Sequence, residues 1–485
     1  MLLMLLAAVS ASFAPSVPID GTWMFDRHSA EDWDGALSAF KAQGGRSVLA
    51  FGAAPQRTDA QSVRDSALFA GCAAAALPGS TAQHCVDVAL HALDARGAKL
   101  GAVLALNATT QYAAAAMTPC LGATNGEQHL PPLGNATRLD EFWVAVLPRR
   151  NATARAGCAL LPGDTADVAF IVLPGARYTP SPADRLRLRV EAGVRNGVDL
   201  FLPMLALPHR SAPNTWQVDE EALPAYVQLV TREALDVRQR FLSAARGGGG
   251  GGDDVIRGVY QAHEMVLSGT AFWRAQYGFY DEAARAVHAV SPAMLFVVSP
   301  YWTVNKQDPS NQTVQSTMVG LSALALTDVD AVAPQEGRGT GKCACFNAST
   351  EGALRIADVD PNLARYPNVN SSATFEEQFW ASTSELFLRS RAAVDAANVQ
   401  RAAGGGRALE LWFNLEAFEH TTINPCGGSG GVDRTNASRV ERSWRLVRDA
   451  GRGVVDSLIA FMWDPFFTCA PRGYGNESLH DELMG

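Results

Sequence analysis

Beyond its first residues, the chain has no hydrophobic run long enough to cross a membrane as a helix. A spanning helix needs about 18 consecutive apolar residues, and no later segment offers them. Charged residues make up only 18% of the 485 residues, and no long basic run stands against the net charge of −9. The sequence therefore predicts neither a membrane span nor a nucleic-acid partner.

Motifs of phosphate, serine and metal chemistry are also missing. No G-x-S-x-G element occurs, which argues against an esterase or other serine hydrolase. The six-glycine run 247–252 has no Lys-Ser/Thr after it and opens no helix, so it is typical of a surface loop. Cys343 and Cys345 are one residue apart, with no His at ligand spacing. We therefore expect no metal and no cofactor.

The N-terminus has the features of a secretion signal. Residues 1–14 carry a short apolar core, and small residues at Val9 and Ala11 suit a signal-peptidase site. Eight cysteines form an even set, which in an oxidising compartment favours disulfides. Eight Asn-x-Ser/Thr sequons occur, at Asn107, Asn135, Asn151, Asn311, Asn347, Asn370, Asn436 and Asn476. The sequence predicts a secreted, disulfide-bonded glycoprotein.

Short apolar runs alternate with amphipathic helical patterns, as in parallel strands joined by crossover helices. Eight such runs occur, at 21–26, 46–53, 198–208, 256–264, 294–302, 329–337, 408–419 and 455–467. Eight units fit a (β/α)8 TIM barrel better than a doubly wound sheet. We therefore predict an α/β barrel domain over residues 18–480.

One region does not fit this count. Residues from about 54 to 180 contain further apolar runs at 98–106, 141–148 and 167–174, and four cysteines. We interpret this region as a long disulfide-bearing insertion between the second and third barrel strands. An alternative assigns 98–106 as the third strand and moves the insertion downstream; the later strands are the same in both versions.

In a TIM barrel, chemistry takes place at the carboxyl ends of the strands. Carboxylates, amides and aromatic rings are predicted there, a mixture that suits sugar hydroxyls and the apolar face of a pyranose. The candidate sugar-binding residues are Asp26, Tyr260, His263, Tyr301, Trp302, Gln335, Glu336, Asn414, Trp463 and Asp464. The expected partner is a carbohydrate.

Several of these strand ends resemble a known family. The segments IDGTWMFD, GVYQAHE, VVSPYW, DAVAPQEGRG, LWFNLEAFE and FMWDP are similar to a glycoside-hydrolase-like barrel family, domain of unknown function 4434. More distantly, a Glu ending the fourth strand and another ending the seventh resemble the clan A retaining glycosidases. That resemblance implies Glu264 as the acid/base and Glu416 as the nucleophile. The chain departs from the clan pattern before Glu264, where Ala262 and His263 replace the usual Asn.

Glycoside hydrolysis independently requires two carboxyl groups that flank the scissile bond, one protonated and one ionised. Glu264 and Glu416 are the leading pair, and Glu336 and Asp464 are held in reserve. The predicted function is a secreted glycoside hydrolase that acts on a polysaccharide or glycoconjugate. The alternative is a catalytically silent barrel that binds glycans at the same rim.

Neighbouring loops of the predicted barrel suggest disulfide pairings. We expect Cys426 to bond Cys343 or Cys345, with the remaining member of that pair bonded to Cys469. In the first third of the chain, short loops favour Cys72–Cys85 and Cys120–Cys158.

Overall fold

The computed structural model of the chain describes most of the barrel and part of the region before its third strand. The described residues are 16–25, 27, 29–51, 56–58, 99–107, 142–148, 165–172, 185–207, 217–218, 220, 223–242, 255–421, 425–427, 431–451, 453–470 and 477–484. Asp26, the predicted signal segment 1–14 and the cysteines of the first third lie outside them.

Fourteen strands occur among these residues. They are β1 Gly21–Trp23, β2 Ser47–Leu49, β3 Gln56–Thr58, β4 Lys99–Asn107, β5 Phe142–Pro148, β6 Thr165–Val172, β7 Asp199–Pro203, β8 Ile256–Gln261, β9 Leu295–Val298, β10 Ala331–Val332, β11 Glu410–Glu416, β12 Phe418–His420, β13 Val432–Arg434 and β14 Ser457–Phe461. Eight of them form one closed barrel in the order β1-β14-β11-β10-β9-β8-β7-β2, and every neighbouring pair is parallel. The predicted TIM barrel is confirmed, with all eight predicted strands in chain order.

Helices follow the barrel strands. They are α1 Ala30–Ala42, α2 Arg185–Asn196, α3 Leu223–Val237, α4 Ala271–Val290, α5 Val314–Ala325, α6 Ala348–Glu351, α7 Ile356–Val359, α8 Phe375–Gln378, α9 Thr383–Ala403, α10 Ala437–Ala450 and α11 Leu479–Met484. In the described part of the chain, no helix is long and apolar enough to cross a membrane.

The helix after β8 shows how the sequence fixes these elements. The Thr270 hydroxyl caps α4 by accepting from the Trp273 amide, which satisfies one of the free N–H groups of the first turn. Tyr277 and Tyr280 are buried on the inner face of α4. Inside the strand, a Cβ atom on Gly258 would lie 2.1 Å from the Leu295 carbonyl oxygen. Only glycine therefore lets β8 approach β9 at this level.

A second, four-stranded sheet has the order β3-β4-β6-β5. The run 98–106, the alternative third barrel strand, becomes β4 of this sheet, and β7 pairs with β2 in the barrel. The version in which 98–106 is the third strand is therefore wrong. The bounds of the insertion stay a prediction.

The disulfide pairing predicted for the later cysteines is wrong. Cys426 is bonded to Cys469, while Cys343 and Cys345 are buried free thiols. The Cys343 sulfur lies 3.8 Å from the Trp302 carbonyl oxygen. The Cys345 sulfur lies 3.2 Å from Glu336 Oε1, so both thiols have buried polar neighbours of their own. The predicted pairs of the first third lie outside the described residues.

Candidate active site

Glu264 lies at the carboxyl end of β8. The segment before it is held by side chains: Gln261 accepts a hydrogen bond from the His263 amide at 3.0 Å, and the Tyr280 hydroxyl donates to the His263 carbonyl. His263 itself is buried, whereas Glu264 is partly exposed. Burial raises the pKa of Glu264, and the Lys342 ammonium and a hydrogen bond from Gln335 oppose that rise. A carboxyl group in this setting can hold a proton and still meet solvent or substrate.

Glu416 ends β11 and points into the barrel mouth. Trp412, four residues earlier, contacts Phe201 of the non-adjacent strand β7 with ring centroids 5.3 Å apart. That contact crosses the barrel interior. Because side chains alternate along a strand, Asn414 and Glu416 face the same interior.

Glu416 is 2% exposed, and its carboxyl group accepts a hydrogen bond from the Gly339 amide and lies near the Gly337 amide. A Cβ on Gly339 would lie 2.9 Å from Glu416 Oε2, so glycine allows this close approach. Burial and the nearby charge of Glu336 raise the pKa of Glu416 to about 7, against the opposing effect of these amides and Arg338. Glu416 can therefore exchange its proton near neutral pH.

The strand register places the two glutamates at one end of the barrel. Gln261, Val298, Val332 and Leu411 are aligned across β8, β9, β10 and β11. Three residues further along the chain come Glu264, Tyr301, Gln335 and Asn414, the first three of them past the ends of their strands. A bridge between Gln335 and Asn414 preserves the alignment beyond β10, whereas beyond β8 it shifts by two residues and Val266 bridges Tyr301. Tyr301, Gln335 and Asn414 thus share one level, Glu264 lies in the segment just before Val266, and Glu416 lies two residues beyond Asn414 on β11.

Tyr260, Ser299 and Asn414 are interior side chains next to these residues. Tyr260 faces the interior, where its ring centroid is 5.6 Å from that of Trp23 on the non-adjacent strand β1, and it lies near Ser299. The Asn414 amide donates to the Ser299 hydroxyl at 3.0 Å. Asn414 Oδ1 is buried and has no hydrogen-bond partner among the described residues. This group of side chains therefore retains one unused hydrogen-bond acceptor.

Glu336 faces the opposite side of the wall from Gln335. Its carboxylate lies 3.2 Å from Arg338 Nε and accepts from Ser443 of α10 and from the Cys345 thiol. All four groups are buried. This arrangement makes Glu336 a structural and electrostatic neighbour of Glu416 and keeps it away from the barrel mouth.

The remaining predicted residues contact other parts of the chain. Trp302 is fully buried against Phe387, with ring centroids 4.9 Å apart. Trp463 is buried against Phe40 on the outer side, at 5.3 Å. Asp464 forms an ion pair with Arg27. None of these three contacts involves Glu264, Glu416 or Gln335.

Sequence reasoning missed Lys342. It follows β10 in the stretch GRGTGKCACF, and its Nζ atom lies 3.8 Å from the centre of the Tyr301 ring. A lone lysine in a glycine-rich segment after a barrel strand was the available signal. In the described residues, no group of three or more His, Cys, Asp or Glu side chains could hold a metal ion.

No family model matches the chain, and no curated protein matches it. Solved structures similar to it include a monomeric β-xylosidase from Caulobacter crescentus, with a TM-score of 0.37 and 12% identity over 95% of this chain and 64% of that one. An intracellular xylanase from Thermoanaerobacterium saccharolyticum has a TM-score of 0.28 and 10% identity, over 59% of this chain and 74% of that one. A sugar phosphate isomerase/epimerase from Parabacteroides distasonis has a TM-score of 0.28 and 8% identity, over 62% of this chain and 80% of that one. Such distant likeness assigns no reaction, so function has to be argued from the site.

Proposed function

We propose that the protein hydrolyses glycosidic bonds at the carboxyl end of its barrel, with Glu264 and Glu416 as the reacting pair. The observation that carries the proposal is the topology: Glu264, just past β8, and Glu416, the last residue of β11, lie at the carboxyl ends of two strands of one parallel barrel, and the bridged residues Gln335 and Asn414 lie between them. Two carboxyl groups at one site are what glycoside hydrolysis requires.

The two environments suggest separate roles. Glu264 is partly exposed and has a raised pKa, so it is suited to give its proton to the glycosidic oxygen as the bond to the leaving group breaks. Glu416, when ionised, attacks the anomeric carbon and forms a glycosyl ester. Water then attacks that carbon, Glu264 takes the proton of the water, and the ester bond to Glu416 breaks.

The proposed setting is extracellular. The apolar segment 1–14 and the eight sequons support entry into the secretory pathway, and the Cys426–Cys469 disulfide is compatible with an oxidising compartment. The substrate of such a protein is a polysaccharide or a glycoconjugate.

The test compares two variants on two kinds of substrate. Glu416→Gln should abolish turnover of every glycoside, because an amide cannot form the glycosyl ester. Glu264→Gln should slow substrates with poor leaving groups far more than activated aryl glycosides, which depart without a proton. Glu385→Gln, on the outer helix α9 and paired with Arg389, is the control that should keep full activity.

Azide distinguishes the roles directly. With Glu416→Ala, azide should restore activity and give a glycosyl azide of inverted configuration; with Glu264→Ala, the azide product should keep the configuration of the substrate. Equal and mild losses in both variants on both substrate types would refute the proposal.

One observation favours a second candidate, a barrel that binds glycans without cleaving them. Glu416 is almost fully buried, and its Oε2 atom already accepts a hydrogen bond from the Gly339 amide. A protein of this kind would bind oligosaccharides and show no hydrolysis in its unmutated form.

A further inference from the structure

Lys342 is held in a fixed position at the barrel mouth by its own backbone. Its amide donates to the Gly337 carbonyl at 2.9 Å, and its carbonyl accepts from the Val304 and Asn305 amides at 3.0 and 2.9 Å. The side chain is partly buried and extends over Tyr301, with 3.8 Å between Nζ and the ring centre. The fold therefore places the Lys342 ammonium over the Tyr301 ring.

Tyr301 in turn is fixed against the segment that carries Glu264. The Tyr301 amide donates to the Met265 carbonyl at 2.9 Å, and the Tyr301 carbonyl accepts from the Leu267 amide at 2.7 Å. Lys342, Tyr301 and Glu264 therefore lie close to one another. Consistent with this closeness, Lys342 opposes the burial-driven rise in the pKa of Glu264.

Lys342 lacks a carboxylate partner in the part of the chain that the structure describes, where no Asp or Glu oxygen lies within 4.0 Å of its Nζ atom. The more deeply buried cations differ: Arg338 lies 3.2 Å from Glu336, and Arg439 lies 2.8 Å from Asp360. Asp308, near Tyr301, instead accepts hydrogen bonds from Ser310. A partly desolvated ammonium without a counter-ion is unfavourable in the free protein, and a ligand anion removes that cost.

We propose that the sugar bound beside Glu264 carries an anionic group, a carboxylate or a sulfate, that pairs with Lys342 and accepts a hydrogen bond from Tyr301. The inference rests on the proposed function for the presence of a sugar at this site. Burial raises the pKa of Tyr301 to about 12, so its hydroxyl stays a donor. A uronic acid and a sulfated sugar would both supply the required charge.

Binding, measured by calorimetry on the Glu416→Gln protein, tests the inference without turnover. The probes are a tetragalacturonate and its methyl ester, and a sulfated galactan tetrasaccharide and its desulfated form. We expect at least one charged probe to bind about tenfold or more tightly than its neutral partner. The pair that shows the difference identifies the anion as a carboxylate or a sulfate.

Lys342→Met should remove this preference, and Lys342→Arg should keep most of it. Lys306→Met is the matched control, because Lys306 also covers an aromatic ring, that of Trp380 at 4.6 Å, but bonds the Glu376 carbonyl instead of facing Glu264. Equal affinity for charged and neutral probes, no binding of either charged probe, or the same loss in Lys306→Met would overturn the inference. Charge-selective binding without any hydrolysis by the unmutated protein would contradict the proposed function and leave this inference standing.

Discussion

The Glu416 amide donates a 3.0 Å hydrogen bond to Oε2 of Glu336, while the Glu416 side chain points to the opposite side of the strand. Two carboxylates that follow neighbouring strands are thus separated by the barrel wall yet remain close enough to influence each other. The negative charge of Glu336 helps to raise the pKa of Glu416. Glu336 therefore adds to the effect of burial on the pH at which Glu416 ionises.

This relationship predicts a pH shift in the variant Glu336→Gln. Glu416 has to be ionised to act as a nucleophile, so kcat/KM of the unmutated protein should rise as the pH passes about 7. Removing the charge of Glu336 should move this rising limb of the pH–rate profile to lower pH by roughly one unit. The pH–rate profile of an aryl glycoside measures it. Glu385→Gln should leave the limb in place, and an unmoved limb in Glu336→Gln would contradict the electrostatic role.

The stability of the protein should carry the same signature. The pKa of Glu416 is about 7 in the folded chain, against an ordinary value of 4.5. Folding therefore favours the protonated group, and the stabilisation present below pH 4.5 is lost as the pH rises towards about 7. The loss amounts to about 3 kcal/mol.

Glu416→Gln should remove this pH dependence and make the protein more stable than the unmutated chain at pH 8, while activity disappears. Urea unfolding at pH 5 and pH 8 gives the comparison. A variant that is less stable at both pH values would show that the ionised carboxylate is favourable in the fold.

The order and direction of the barrel strands could be predicted from the sequence, because each strand is an apolar run and helical segments lie between successive runs. The same patterns put Glu264 and Glu416 at strand ends. They could not show which side chains face the mouth. Gln335 and Glu336 are adjacent after a strand of two residues, and only the packing of α10 against Glu336 distinguishes them.

Two other features depend on distant contacts. The strand that contains Val298 ends there, and the chain then carries Trp302 under Phe387, so a tryptophan expected at the rim packs in the core. The pairing of Cys426 with Cys469 depends on where two long loops meet in space. Apolar periodicity carries no information about such meetings.

The Cys426–Cys469 bond should contribute strongly to stability. It closes a loop with a sequence separation of 43, and restriction of the unfolded chain by a loop of this size is worth about 4 kcal/mol. The double variant Cys426→Ser/Cys469→Ser should lose stability of that order in chemical unfolding. Peptide mapping without reductant should recover this pair, and the Cys343 and Cys345 thiols should react with alkylating reagents only after unfolding. Recovery of Cys426 bonded to Cys343 would contradict the structure.

Arg439 should contribute strongly to the stability of the structure around the site. It is buried between Asp360, at 2.8 Å, and Glu419. Burial alone would raise the pKa of Asp360, but the guanidinium outweighs it and holds that pKa below the ordinary value of 3.8. The resulting stabilisation is present above pH 3.8 and is lost as the pH falls through the lowered pKa. Arg439→Met leaves two buried carboxylates unpaired, so we expect it to cost about 3–5 kcal/mol at pH 7.

The loss of stability caused by Arg439→Met should be smaller near pH 4, where the unpaired carboxylates of the variant take up protons and no longer need a counter-ion. Chemical unfolding at the two pH values measures the difference. Arg445→Met is the matched control, because Arg445 is exposed on the same helix, and it should change stability by less than about 0.5 kcal/mol. If Arg439→Met were as mild as Arg445→Met at pH 7, the buried charge cluster would not hold α10 against the strand that carries Glu416, and the site would need another source of rigidity.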